Sequence, residues 1–356
     1  MSVVFWGAWR VDSGLVAFLL FGEANLTRLF QSVLVVGNDG ALPSGCLVMV
    51  WTAFLWPWLD LHNGLRCMSE VSCVFEDRAE LGEGVFWSER EQRVFWIDIV
   101  GQRVCRFDPV TGLNESVSVG QEVGTVVEAK SGGLLAALKD GVYALGFESG
   151  ELRKCCDPME GNADNRLNDG KAGPDGRFYV GGLGDEGKQH LYRIDRNTTD
   201  FARIEDGISI SNGLAWSSDD RTFYYIDTPQ DVVWAYDFDG ETGSISNRRV
   251  AVDVKGVSGA PDGMTIDAEG MLWVAFWDGW CVRRYDPNSG ELLREIRLPA
   301  ARVTCCGFGG KDLDTLYITT ARGWLEDAEL EKQPLAGSLF AVKPGVKGVP
   351  SFLFGE

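Results

Sequence analysis

The chain is expected to fold as an all-β protein, a six-bladed β-propeller, and three features of the sequence point there. One aromatic or aliphatic run recurs six times: RVFWIDI (93 to 99), GLLAAL (133 to 138), GRFYVGG (176 to 182), RTFYYID (221 to 227), GMLWVAF (270 to 276) and DTLYITT (314 to 320). With Phe95, Leu135, Tyr179, Tyr224, Trp273 and Tyr317 taken as equivalent anchors, the spacings are 40, 44, 45, 49 and 44 residues, a period with room for the four strands of a propeller blade. No stretch after residue 81 sustains a helical period, whereas β-branched and aromatic runs bounded by Gly, Asp and Pro read as strands. Glycine is 44 of 356 residues, enough to supply many tight turns. A β-sandwich with accidental regularity competes with this reading, and six copies in one register speak against it.

Each unit begins with the strand that should line the central channel: LGEGVFWS, VGTVVEA, RLNDGKAG, SNGLAWSS, PDGMTIDA and VTCCGFGG. The anchor strand follows, and a third strand after it reads RVCRFD, GVYALG, HLYRID, VVWAYD, CVRRYD and SLFAVK. GPDG (173 to 176), DAEG (267 to 270) and SSDDR (217 to 221) fall between the first and second strands of their units and read as hairpin turns. RFDPVTG (106 to 112) and RYDPNSG (284 to 290) read as outer turns after the third strand.

Composition narrows the function. Lys and Arg total 33 against 52 Asp and Glu, a formal charge of −19, so no positive footprint exists for nucleic acid or an anionic membrane surface. The two histidines, His62 and His190, disfavour mechanisms built on Ser-His or Cys-His pairs and His-rich zinc sites. Nine cysteines, an odd number without a CxxC motif, fit reduced thiols and a cytoplasmic location better than a disulfide framework.

Residues 1 to 68 stand apart: they hold five of the 13 tryptophans and no lysine. Their apolar run CLVMVWTAFLWPWL is 14 residues long, short of the roughly 20 a membrane-spanning helix needs. We read 1 to 68 as an N-terminal extension without a fold of its own, or a start placed upstream of an initiator at Met68. An anchor or targeting segment and an extra packed element are the alternatives. The propeller is assigned to residues 69 to 356, with no membrane association expected for it.

The start of the channel-lining strand carries the candidate chemistry. Glu83 stands 12 residues before its anchor, Asn168 11, Asn212 12 and Asp262 11, so four oxygen-bearing side chains from four blades should meet at one mouth of the channel. Singly, the NDG, SNG and PDG tripeptides read as turn formers; their shared register favours a site. Carboxylates brought together out of water oppose folding unless a cation joins them. Oxygen-only donors suit Ca²⁺, Mg²⁺ or Mn²⁺, with Zn²⁺ open through carboxylates. His190 has no evident partner and reads as a packed or surface histidine.

LGEGVFW, NRLNDGK, SISNGLAWS, FYYIDT, PDGMTIDAEGMLWVA, CCGFGGKD and KQPLAGSLF, taken as an ordered set from Cys73 to Phe354, closely resemble the gluconolactonase, regucalcin and senescence-marker-protein family. The resemblance implies a metal-dependent hydrolase that opens sugar-acid lactones. It also implies one divalent cation held by Glu83, Asn212 and Asp262, with Asp262 doubling as general base. Arg166 and Asn168 would contact the substrate, and Glu186 is the only glutamate near the place of a further acidic contact in relatives. Here GEGVFW replaces a GESPVW-like motif, and the segment between GGLG and HLYRID is short. A calcium-binding regulatory protein of regucalcin type, and a propeller esterase for another lactone or an organophosphate, are the competing functions. Nothing in the sequence sets the oligomeric state.

Overall fold

The computed structural model describes residues 71–160 and 165–355, and before them the backbone of three strands only. The chain divides into two compact units, Met1–Cys67 and Met68–Glu356. In the first, Val3–Val11, Gly14–Gly22 and Phe30–Val36 pair as an antiparallel meander. The apolar run ending at Leu59, with Cys46, Cys67 and His62, lies outside the described residues.

In the second unit, six four-stranded antiparallel sheets form the blades of a propeller. Blades I to VI begin with the channel-lining strands Gly82–Ser88, Val123–Glu128, Arg166–Ala172, Ser211–Trp216, Ala260–Ile266 and Arg302–Gly309. These strands contact one another in a closed ring. The predicted anchor strands are second in every blade, and all six anchors are buried between neighbouring blades. Five of the six are aromatic, and the bulk of the set fills the wedge between blades, where a buried side chain of this size contributes about 1.5–3 kcal/mol.

Blade VI is completed from the other end of the unit. Its outermost strand is Ser72–Phe75, which pairs with Leu339–Val342 through Phe340↔Cys73. Closure leaves no unpaired sheet between the first and last blades. The connection before Leu339 holds the only α-helix among the described residues, Asp327–Leu330, opened by a capping box between Glu326 and Glu329.

The turns fall where expected. Gly176 N–H bonds Gly173 O, Gly270 N–H bonds Asp267 O and Asp220 N–H bonds Ser217 O, while Gly112 and Gly290 close the outer turns on Asp108 O and Asp286 O. The seven described cysteines are unpaired. Among the described residues no helix is long and apolar enough to cross a membrane. His190 is partnered after all: its Nδ1 lies 2.7 Å from Asp206 Oδ1, a cross-strand neighbour.

Candidate active site at the mouth of the channel

Every channel-lining strand opens with a β-bulge. Pairing is regular beyond it, where Phe86, Val127, Lys171, Ala215, Thr265 and Gly307 each stand opposite their blade's anchor. Counting back three residues gives Glu83, Gly124, Asn168, Asn212, Asp262 and Thr304, one per blade, within or next to the bulge. Glu83, Asn168, Asn212 and Asp262 are each 6% exposed, so the structure brings these four together as one buried ring.

Close packing at the axis explains the glycines of the SNG and PDG motifs. A Cβ on Gly213 would sit 2.5 Å from Met264 Cβ, and one on Gly263 would sit 2.7 Å from Cys305 Cβ. Both residues lie in strands, so they serve the close approach of neighbouring blades rather than a turn.

Buried aspartates set the height of the ring. Asp98, at the end of the second strand of blade I, accepts from the N–H groups of Leu81 and Gly101 at 3.1 and 3.0 Å. Asp227 does the same in blade IV for Ser209 and Ile210 at 3.2 and 2.9 Å. These bonds hold the segments leading into Glu83 and Asn212.

A hydrogen-bond chain then crosses three blades. Arg166 donates to Asn168 Oδ1 and to Leu167 O at 3.1 Å. Asn168 Nδ2 donates to Ser211 O at 2.6 Å and to Asn212 Oδ1 at 3.3 Å. Asn212 Nδ2 donates to Thr228 Oγ1 at 2.7 Å, and Thr228 in turn donates to Pro261 O at 2.8 Å. With its amide nitrogen engaged on Thr228, Asn212 turns its oxygen toward Asn168. In blade VI, Thr304 donates to Gly82 O at 2.5 Å and seals the seam to blade I.

The structure adds a residue that strand alternation hides. Leu167 pairs with Gly182 and Gly170 with Val180, so Asn168 and Asp169 together oppose one residue, Gly181. Asp169 is 4% exposed; its Oδ1 accepts from Gly170 N–H at 2.7 Å, while its buried Oδ2 has no hydrogen-bond partner. Glu186, by contrast, stands outside the ring, in the exposed turn after Phe178–Leu183.

Three carboxylates thus share one buried site. Burial, and then the charge of Asp169, push Glu83 up to about 8. Asp262 is raised well above the carboxylate range by burial and by the charges of Glu83 and Asp169, and burial raises Asp169 as well. Arg166 is lowered by its own burial against the pull of the surrounding carboxylates. Lys171 donates its ammonium to Met264 O. The surplus is negative, and every ring donor is a hard oxygen.

Among the described residues no group of three or more His, Cys, Asp or Glu side chains is arranged to hold a metal ion by itself. What the ring offers a cation is carboxylate oxygens of Glu83, Asp169 and Asp262 and amide oxygens of Asn168 and Asn212. The orphaned Asp169 Oδ2, the excess of carboxylate and the all-oxygen donor set fit a hard divalent cation.

A sequence model of the family described as SMP-30/Gluconolactonase/LRE-like region matches residues 81–322. Regucalcin of Xenopus laevis is 37% identical over 295 residues, covering 80% of this chain and 98% of the relative. A Bacillus subtilis protein named, provisionally, as the sugar lactone lactonase YvrE is 38% identical over 271 residues, covering 75% and 92%. Among solved structures, the calcium-binding protein regucalcin of Agrobacterium tumefaciens superposes with a TM-score of 0.76 at 26% identity, covering 79% of this chain and 96% of that one.

Proposed function

This chain belongs to the SMP-30/gluconolactonase/LRE-like family, and from that premise we propose that it hydrolyses sugar-acid lactones at the mouth of the channel, using one divalent cation held by Glu83, Asn212 and Asp262. The observation that carries the reading is the buried ring itself, in which carboxylates from blades I, III and V meet amide oxygens with too little counter-charge of their own. A bound Ca²⁺, Mg²⁺, Mn²⁺ or Zn²⁺ supplies Lewis acidity toward the lactone carbonyl and the charge that lets these carboxylates ionise.

The chain's own residues account for the rest. Asp262 accepts a proton from the attacking water as the new carbon–oxygen bond forms. The ring carbon–oxygen bond then breaks, and the same proton passes to the departing alkoxide, leaving a hydroxy acid. Arg166 offers guanidinium donors to the charge that develops on the substrate's oxygens, and its bond to Asn168 Oδ1 keeps it aimed. Asn168 orients substrate hydroxyls while it bridges to Asn212. Glu186 is placed to reach a substrate only if the substrate extends over the exposed turn that carries it. No covalent intermediate is required. We assign this chemistry to residues 69 to 356, treat residues 1 to 68 as an extension outside it, and place the protein in the cytoplasm, in keeping with seven unpaired cysteines among the described residues.

The test is acid release from glucono-1,5-lactone and several other sugar lactones by the chelator-treated full chain, with and without each of the four cations. Turnover restored by a cation is the expected result. No cation-dependent turnover on any of these lactones overturns the proposal. The regucalcin relatives favour a second reading, a calcium-binding regulatory protein using the same ring; calcium binding that is lost in Asp262→Ala, without lactone turnover in the unsubstituted chain, would support it.

A further inference from the structure

The rim of this mouth, between blades V and VI, carries large aromatic side chains that packing does not explain. Trp324 is 66% exposed and Trp280 38%. Both have φ of 59°, and Asp278, in the same turn as Trp280, has φ of 55°. A left-handed backbone suits glycine or asparagine and strains a bulky residue. An exposed indole returns little hydrophobic stabilisation in exchange, so the fold gains little from tryptophan at either place.

These turns are tied together. The rings of Trp277 and Trp324 lie 6.1 Å apart at 56°. The Arg302 guanidinium lies 4.8 Å from the centre of the Trp277 ring, donates to Asp278 Oδ1 at 3.1 Å and bonds Gly323 O. One arginine thus holds the turn of blade V against the loop of blade VI and presents their tryptophans side by side.

Their register places them beside the ring. Arg302 stands two residues before Thr304, as Arg166 stands two before Asn168, and Trp277 pairs with Ala260, two residues before Asp262. At about 3.3 Å per residue, the platform starts roughly 7 Å above the ring, within reach of a group attached to a lactone bound there.

We propose that Trp277, Trp324 and Arg302 form a second sugar subsite, and that the preferred substrates are glycosylated aldonolactones. This rests on the lactonase reading and names its substrate class. An exposed indole face stacks on the C–H face of a pyranose, while Arg302 donates to ring hydroxyls and Asp278 accepts from them. An apolar acyl substituent would cover the tryptophans but desolvate the Arg302–Asp278 pair without offering it a hydrogen bond, which disfavours it.

The experiment compares kcat/KM for cellobiono-1,5-lactone and maltobiono-1,5-lactone with that for glucono-1,5-lactone, using the full chain supplied with cation, in the unsubstituted protein and in Trp324→Asn. Asparagine tolerates the left-handed backbone, so the variant should melt at the same or a higher temperature. At least a tenfold preference for one disaccharide lactone, falling toward unity in Trp324→Asn, is expected. No preference, or one that survives the substitution, overturns the subsite. So does a preference for N-acyl homoserine lactones over every sugar lactone. Tryptophan fluorescence on titration with cellobionic acid separates the two proposals if no lactone is turned over at all. Quenching that disappears in Trp324→Asn then supports the subsite, and its absence in the unsubstituted chain overturns it.

Discussion

The same six strands line both ends of the channel and give them different chemistry, with Asp169 facing both. At the mouth, their bulged starts bury Glu83, Asn168, Asp169, Asn212 and Asp262. A few residues further on, regular pairing resumes and the strands present Phe86, Val127, Trp216, Ile266 and Phe308. There, together with Asp169 and Lys171, they line a cavity of about 380 Å³ that residues Val349 to Phe352 help to enclose. Trp216 meets Phe352 edge-on at 6.2 Å across it. A bulge frees one or two side chains from strict alternation and lets a repeat gather carboxylates at its axis; beyond it, where pairing is regular, the strands offer mostly apolar side chains, with Lys171 the exception. The proposed chemistry therefore sits where the repeat is irregular, and most of the apolar packing where it is regular.

Exchanging a charge at the mouth for a neutral isostere should separate the two roles most sharply. Asp262→Asn is expected to lower kcat on a sugar lactone by about 10²–10⁴-fold, the range of a lost general base. Because it also removes one of three mutually opposed carboxylates, the metal-free variant should melt at a higher temperature than the unsubstituted chain. Steady-state kinetics with differential scanning calorimetry reads both. A variant that lost activity together with stability would place Asp262 among structural residues.

The far end should behave in the opposite sense. Phe308 is buried against Trp273, ring centres 5.9 Å apart, and contributes to the cavity wall. Phe308→Ala is expected to cost about 3–5 kcal/mol, as large-to-small changes of a buried aromatic do. The effect on kcat per folded molecule should be small, since no mouth residue loses a bond. Denaturant titration and active-site-normalised rates check it, and a large loss in kcat at preserved stability would show that the two ends are coupled.

The comparison also explains what could be read from the residues alone. Aromatic anchors at a period near 45 disclosed the blades, because each must fill a wedge between sheets. Counting back from them placed Glu83, Asn168, Asn212 and Asp262, since pairing beyond the bulge keeps one register in every blade. Asp169 escaped: alternation turns it away from Asn168, and only the bulge gathers both. Ser72–Phe75 escaped too, because its partner Leu339–Val342 lies more than 260 residues away and no repeat motif marks it. His190 has no partner nearby in the sequence, because Asp206 joins it only through strand pairing. The outer strands, such as Asn114–Ser118, are partly exposed and carry too little apolar pattern to announce themselves.

The subtlest consequence concerns pH. Glu83 ionises near 4.5 in an unstructured chain and is raised to about 8 in the fold, so the metal-free protein favours its protonated form. For a raised carboxyl, the contribution to stability is fully present below about 4.5 and is lost as pH climbs through about 8. Asp262 and Asp169, also raised, act in the same direction. Metal-free protein should therefore melt progressively lower as pH rises across this window. A cation requires deprotonated ligands, so the gain in melting temperature it confers should widen over the same range. Glu83→Gln should flatten the metal-free slope, whereas Phe308→Ala should lower the whole curve without changing its tilt. A melting curve with the same pH slope in Glu83→Gln and the unsubstituted chain would mean that the strain of the mouth is carried by residues other than Glu83.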